Sequence, residues 1–150
     1  QQRVVPKAIY SVLGGAASSY KFVQEFPDAS NGIIDCNHWF NPKDPRAQAL
    51  KKRAEAQKLF FSYELFMTYT AMMLLADALE RAKSTDRAAI IAALEKSTFS
   101  NHFMPYGPTK FVDGQNTGGR PLMTQVLDKD IKVIIPREYR QAEPLFPLKA

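Results

Sequence analysis

The segment FVDGQNTGGRPLMTQVLDKDIKVIIP, residues 111–136, constrains the fold most, because it predicts short strands close to the end of the chain. Runs of apolar and β-branched residues predict strands over 110–112, 122–127 and 131–135. The Asp-Lys-Asp sequence at 128–130 is typical of a hairpin turn. An isolated two-stranded unit is at best marginally stable in water, so earlier residues must supply a surface against which these strands pack.

Strand and helix signals alternate in the first 40 residues. The apolar run AIYSVL at 8–13 predicts a strand that Gly14 and Gly15 end, and the polar sequence SSYKFVQEF predicts a helix. Residues 32–36 predict a second strand, and the prolines and asparagines of NHWFNPKDP exclude regular structure after it. This alternation predicts an α/β fold with a parallel sheet.

Three helices are predicted in the middle of the chain. Asp44 followed by Pro45 is typical of a helix start, and strong helix formers continue to about residue 58. The Ser-Thr-Asp sequence at 84–86 begins another helix that ends near residue 96. Between them, residues 62–83 form a long helix with a wide apolar stripe, which predicts the central core helix. The stripe consists of Leu65, Phe66, Tyr69, Met72, Met73, Ala76 and Leu79.

Composition excludes several classes of protein. A chain of 150 residues with 45% hydrophobic content fits one ordinary domain with a single core. The net charge is +5, but basic residues are spread along the chain and only 51–53 are adjacent, so nucleic-acid binding is not predicted. The apolar stretch at 72–76 is far shorter than the roughly 20 residues that a membrane span requires.

Motifs for catalysis, metals and cofactors are absent from the sequence. The single cysteine, Cys36, excludes an internal disulfide and a cysteine-based zinc cluster. His38 and His102 lie in separate predicted loops without an acidic or thiol neighbour at ligand spacing. No nucleophile motif or phosphate-binding loop occurs. We therefore expect neither an enzyme nor a cofactor, and no metal site.

Aromatic side chains are concentrated in two predicted loops, around Trp39 and around Tyr106. Such residues often form the walls of a small-molecule pocket, which makes Trp39 a candidate ligand-binding residue. The alternative is that these rings pack onto the core. Tyr69 has the same ambiguity, since its position on the apolar stripe predicts burial while its hydroxyl requires a hydrogen-bond partner.

Three tracts of the sequence resemble one protein family. TYTAMMLLADALERAKSTDRAAIIAALEKSTF is similar to the Tyr-x-Ala opening, long apolar helix, Ser-x-Asp restart and second helix of periplasmic solute-binding proteins of the branched-chain amino-acid (leucine/isoleucine/valine, type I) ABC transporter family. YGPTKFVDGQNTGGRPLMTQVLDKDIKVIIP is similar to the closing segment of that family, and NHWFNPKDPRAQAL resembles its crossing between lobes.

The resemblance implies an incomplete α/β, three-layer type I periplasmic-binding-protein-like architecture. A full member has two lobes that close on a ligand, and this chain resembles the C-terminal part. Residues 1–38 would then belong to one lobe, 39–112 to the other, and 113–150 to the return crossing and closing strands. A signal peptide would lie upstream, the location would be periplasmic, and a membrane permease of an ABC transporter would be the partner.

Site residues follow from the resemblance only where positions match. The tyrosine of the Tyr-x-Ala opening corresponds to Tyr69. The turn that in relatives contacts the amino-acid ammonium corresponds to Val12, Leu13 and Gly14. The acidic residue of that turn is absent here, so an aromatic or aliphatic carboxylate is an alternative to an amino acid as ligand.

Two other functions fit the same sequence. The chain could be a ligand-sensing regulatory domain of the same fold, or a truncated product that binds no ligand and self-associates. Missing upstream elements would leave the apolar edge of residues 8–13 and the stripe of the 62–83 helix partly uncovered. A homodimer or higher oligomer is therefore expected.

Overall fold

A computed structural model describes residues 6–12 and 15–148 of the chain. The strands are β1 (Tyr10–Val12), β2 (Ile34–Asn37), β3 (Phe111–Val112), β4 (Gln115–Asn116), β5 (Leu122–Leu127) and β6 (Asp130–Ile135). The α-helices are α1 (Tyr20–Glu25), α2 (Pro45–Ala56), α3 (Tyr63–Ala82) and α4 (Arg87–Glu95). Short 3-10 turns occur at Ala16–Ser18 and Arg137–Tyr139. No helix in these described residues is long and apolar enough to cross a membrane.

The main sheet has four strands in the order β1-β2-β5-β6. β1 and β2 are parallel, whereas β5 runs antiparallel to β2 and β6 antiparallel to β5. The parallel pairing predicted from the start of the chain is confirmed for β1 and β2, but β5 extends the sheet in the antiparallel direction, which makes the sheet mixed. The hairpin predicted at 128–130 joins β5 and β6, and there Asp128 and Lys129 both have positive φ angles, of 53° and 63°. Such a turn reverses the chain within two residues and requires antiparallel strands.

A second, two-stranded sheet lies outside the main one. β3 and β4 are antiparallel and joined through Asp113 and Gly114, which have φ angles of 49° and 75°. The predicted strand at 110–112 is thus present as β3, but it pairs with β4 and not with β5. The closing segment consequently forms two hairpins.

Side-chain caps fix the starts of two helices, the first as the sequence predicts and the second through Asp86 in place of the preceding hydroxyls. The Asp44 carboxylate accepts from the backbone N–H of Arg46 at 2.9 Å, and Pro45 occupies the first helical position. The Asp86 carboxylate accepts from the backbone N–H of Ala89 at 3.0 Å. These caps satisfy N–H groups that the helices cannot satisfy themselves.

Four aromatic rings form the centre of the core. Trp39 is edge-on to Phe66, with ring centroids 5.3 Å apart, and Phe40 is edge-on to Phe61 at 5.4 Å. The loop aromatics at 39 and 40 therefore pack onto the core, which is one of the two alternatives given above. Apolar residues of β5 and β6, such as Val126, belong to the same core. The division of the chain at residues 38 and 112 stays a prediction.

The apolar stripe of α3 is only partly covered. Phe66 is fully buried, but Tyr69 is 45% exposed and Met72 is 60% exposed, so only part of the stripe packs on the core. The stripe is wider than the surface that the neighbouring helices and loops cover. Tyr10 and Val12 of β1 are each 54% exposed at the edge of the sheet. The stripe of α3 and the apolar edge of β1 are thus both partly uncovered, as the sequence predicts.

Candidate functional site

The carboxyl ends of β1 and β2 lie at one edge of the main sheet, because the two strands are parallel. β5 begins and β6 ends at this edge, since each is antiparallel to its neighbour. Open α/β sheets bind ligands in the crevice beyond the carboxyl ends of their strands. This edge, formed by the strand ends and containing Val12, Gly15 and His38, is therefore the candidate ligand-binding edge.

Gly15 allows the start of α3 to approach the ligand-binding edge. Its φ angle of 75° lies in the left-handed region, and a Cβ atom at this position would be 2.9 Å from Cε1 and 3.2 Å from the hydroxyl oxygen of Tyr63. The backbone N–H of Tyr20 donates to the Phe61 carbonyl oxygen at 3.2 Å and holds the chain before α3 against α1. The ring of Tyr63 is thereby placed directly against Gly15.

Glu64 brings negative charge to the ligand-binding edge. Hydrogen bonding to the Glu64 carboxylate raises the pKa of Tyr63, so the phenol stays protonated at neutral pH. Burial by itself would raise the pKa of the Glu64 carboxyl. Hydrogen bonds from Ser62, from its own backbone N–H and from Tyr63 outweigh burial, so the pKa of Glu64 is lowered. A carboxylate beside a phenol is an arrangement that suits the ammonium group of a solute.

A row of buried polar groups lies beneath the edge. Asp35 of β2 is fully buried, and the Ser18 hydroxyl donates to its Oδ2 atom. Within the described residues, Asp35 Oδ1, Asn37 Nδ2, Trp39 Nε1 and Thr124 Oγ1 have no hydrogen-bond partner in the protein. Asp35 and Thr124 are cross-strand neighbours. Asp35, Asn37 and Thr124 therefore make the interior below this edge polar.

A groove of about 820 Å³ lies along the same edge beside β5 and β6. Its floor includes Leu122 and Ile135, and Lys110 and Arg120 line its side. Neither cation forms an ion pair with another described residue. These two cations, with one acidic neighbour in the lining, Glu138, give the groove a net positive charge that suits a carboxylate.

A family model described as periplasmic binding protein matches residues 10–130 of the chain. The match covers β1 to β5 and all four α-helices. The chain belongs to the periplasmic binding protein family. No curated protein matches its sequence.

Solved structures have the same fold as this periplasmic binding protein. A leucine binding protein from Thermotoga maritima is 19% identical, with a TM-score of 0.63 over 84% of this chain and 36% of that chain. A protein from Silicibacter pomeroyi, provisionally described as a branched-chain amino acid ABC transporter, is 20% identical, with a TM-score of 0.66 over 92% and 40% of the two chains. An extracellular ligand-binding receptor from Rhodopseudomonas palustris is 16% identical, with a TM-score of 0.64 over 87% and 41%.

The chain spans only 36–41% of the length of these solved structures. It therefore holds an incomplete portion of a type I periplasmic binding protein, as the sequence predicts. The mixed α/β fold class and the resemblance to the family are confirmed. At these identities the structural likeness shows the fold, and it does not identify the solute or the partners of this chain.

The candidate residues that the sequence identified are dispersed in this periplasmic binding protein. Val12 lies at the ligand-binding edge, and Leu13 and Gly14 lie outside the described residues. Trp39 is fully buried in the aromatic core. Tyr69 stacks on Phe103 with ring centroids 5.8 Å apart, away from the edge. The ligand-binding role of all five stays a prediction, with Val12 placed best for it.

Tyr63 and Glu64 were missed from the sequence. Both were counted only as the first turn of a long helix, because nothing near them in the sequence identifies Gly15, the glycine that Tyr63 approaches. A signal existed in Gly15, since a glycine directly after a strand often marks a close backbone approach. No group of three or more metal-ligating side chains occurs in the ranges 6–12 and 15–148.

We predict that Gly15→Ala lowers the free energy of unfolding by about 2 kcal/mol, since alanine is strained at a positive φ and its Cβ would meet the Tyr63 ring. Gly114→Ala is the matched control, because Gly114 also has a φ of 75° but no atom within 4 Å of an added Cβ. We expect it to cost about 1 kcal/mol in urea unfolding. Equal losses in the two variants would contradict the contact between Gly15 and Tyr63.

Proposed function

We propose that the chain is the substrate-binding component of an ABC-type uptake system, or a C-terminal portion of it, and binds a small amino acid or a related aromatic or aliphatic carboxylate without catalysis. The observation that carries this proposal is the contact of Tyr63 with Gly15 at the carboxyl edge of β1 and β2. The family match supports solute binding in general. A membrane permease would be the partner in the complete protein, and the periplasm the location.

Glu64 favours an amino acid over a simple carboxylate as the solute. The turn after β1 carries no acidic side chain in the sequence, which had left the ligand class open. The first turn of α3 supplies a carboxylate at the same edge, and its lowered pKa keeps it charged at neutral pH. An α-ammonium group beside Tyr63 would neutralise this charge.

Leucine and 4-methylpentanoate test this proposal, because they differ only in the ammonium group. We expect the chain to bind leucine weakly and several-fold more tightly than 4-methylpentanoate, measured by isothermal titration calorimetry. Glu64→Gln should weaken leucine binding about three-fold, as for one partly exposed charge pair, and leave 4-methylpentanoate unchanged. Glu80→Gln, an exposed position on the same helix, is the control. Failure of both compounds to bind would contradict the proposal.

We further propose that the chain self-associates through the outer edge of β1. β1 is the first strand of the sheet, and Ile9, Tyr10 and Val12 on or next to it are between 41% and 54% exposed. Unpaired strand edges with apolar side chains are templates for pairing with another chain. We expect a concentration-dependent dimer in sedimentation velocity, which Val12→Lys should convert to a monomer. A wild-type monomer at all concentrations would contradict this.

A further inference from the structure

A groove of about 300 Å³ lies between α2 and α3. On α2 its lining residues run along one helical face from Arg46 to Arg53, and Tyr69 and Met73 of α3 form the other wall together with Phe103. None of these residues belongs to the ligand-binding edge or to the groove beside β5 and β6. The volume of this interhelical groove is at the lower limit for small-molecule sites, roughly 300–1,000 Å³. It is therefore a separate concavity that is large enough for a small ligand.

Aromatic and apolar side chains form most of the wall of the interhelical groove. Phe103 is buried, and the Tyr69 ring stacks on it with ring centroids 5.8 Å apart. Tyr69 lines the groove and is 45% exposed, so part of its ring is accessible to a ligand. Leu50 and Met73 are partly buried beside it, and a thioether makes favourable contacts with aromatic rings. The wall thus suits the flat apolar body of an aromatic molecule.

The two arginines of the interhelical groove differ in what their charges already contact. Arg46 forms an ion pair with the Asp44 carboxylate at 2.7 Å and donates to the His102 carbonyl oxygen at 3.0 Å. Arg53 lies seven residues further along α2, about 10 Å away, and is exposed. Within the described part of the chain Arg53 forms no ion pair, and no described lining residue is acidic. Arg53 therefore offers one accessible positive charge at one end of the groove.

We propose that the interhelical groove is a second binding site, for an aromatic molecule with a single carboxylate or similar anionic group. The ring of the ligand packs on Tyr69 and the apolar side chains beside it, and the anionic group pairs with the Arg53 guanidinium. One anionic group is expected, because Arg46 is already paired with Asp44. This site does not depend on the proposed solute function, since it uses other residues and requires no ammonium group on the ligand.

The probes 2-naphthoate and 2-naphthamide test the role of Arg53, because they share a ring system and only the first is an anion. By equilibrium dialysis we expect 2-naphthoate to bind about three- to five-fold more tightly, as for one exposed ion pair. Arg53→Gln should abolish this preference and leave the binding of 2-naphthamide unchanged. Lys52→Gln is the matched control, because Lys52 is the exposed neighbour of Arg53 and does not line the groove. Equal binding of the two probes to the wild-type chain, or a preference that Arg53→Gln retains, would overturn the proposal.

The location of the probes gives a second test. Ala49→Phe, at an exposed position on the wall of the interhelical groove, should fill the space and reduce the binding of both probes at least about ten-fold. Ala56→Phe is the control, because Ala56 is also exposed on α2 but does not line the groove. Arg120→Gln, in the groove beside β5 and β6, should leave the binding of 2-naphthoate unchanged. Unchanged binding in Ala49→Phe, or a loss in Arg120→Gln, would place the probe elsewhere and overturn the proposal.

Discussion

Replacing Phe66 with alanine is expected to lower the free energy of unfolding by about 3–5 kcal/mol, which would leave little stability in a chain of this size. Phe66 is fully buried, and its ring lies 5.3 Å from Trp39, 5.4 Å from Phe40 and 5.8 Å from Phe61, centroid to centroid. Its removal would leave a cavity that rigid aromatic neighbours cannot close. Urea unfolding followed by the fluorescence of the single tryptophan measures the loss.

Phe60→Ala is the matched control for this substitution. Phe60 is adjacent to Phe61 in the sequence but is 53% exposed, and its ring makes a cation–π contact with the Lys21 ammonium, 5.3 Å from the ring centroid. We expect its loss to cost about 1 kcal/mol or less. Similar losses for Phe60 and Phe66 would show that the aromatic cluster is not the centre of the core.

Gln125→Leu is expected to cost about 3 kcal/mol and to release the C-terminal segment from the sheet. The Gln125 side chain is 1% exposed, and its Nε2 donates to the carbonyl oxygens of Gly32 at 2.9 Å and Leu145 at 3.0 Å. Its Oε1 accepts from the backbone N–H of Leu145 at 2.8 Å. Leucine would fill the same space but leave these buried groups without partners.

Amide hydrogen exchange distinguishes local release from global loss of stability. We expect exchange at Leu145 to accelerate far more than exchange in β5, because the side-chain bond holds the tail directly. Gln115→Leu, on the exposed β4, serves as control and should change stability by no more than about 0.5 kcal/mol. An unchanged Leu145 amide in the Gln125→Leu variant would contradict the tether.

The sequence was sufficient for elements whose signals are local. The caps at Asp44 and Asp86 and the turn at 128–129 are fixed by neighbouring residues, and the structure has helices and a hairpin where they predict them. Which strands pair is not a local property. β5 joins β2 because residues some 90 positions apart pack together, and the alternation of strands and helices near the start of the chain contains no information on this.

The residues of the ligand-binding edge differ from those selected from the sequence for the same reason. Tyr69 was selected from the family pattern. The tyrosine that lies against Gly15 is instead Tyr63, six residues earlier on the same helix. Trp39 was selected as a loop aromatic, but its ring is fully buried in the aromatic core, because removing its apolar surface from water is favourable. The approach of Tyr63 to Gly15 is a long-range contact, beside the backbone hydrogen bond from Tyr20 to the Phe61 carbonyl oxygen.

The position of the bound solute tests the central claim most directly. Titration of the isotope-labelled chain with leucine, to about 20 mM because weak binding is expected, would be followed by backbone amide shifts. The account predicts that the largest shifts occur at residues 15–18, 37–38 and 62–64, and that Tyr63→Ala removes them. Shifts centred on other parts of the chain, or none at the highest concentration, would contradict the assignment of this edge as the solute-binding site.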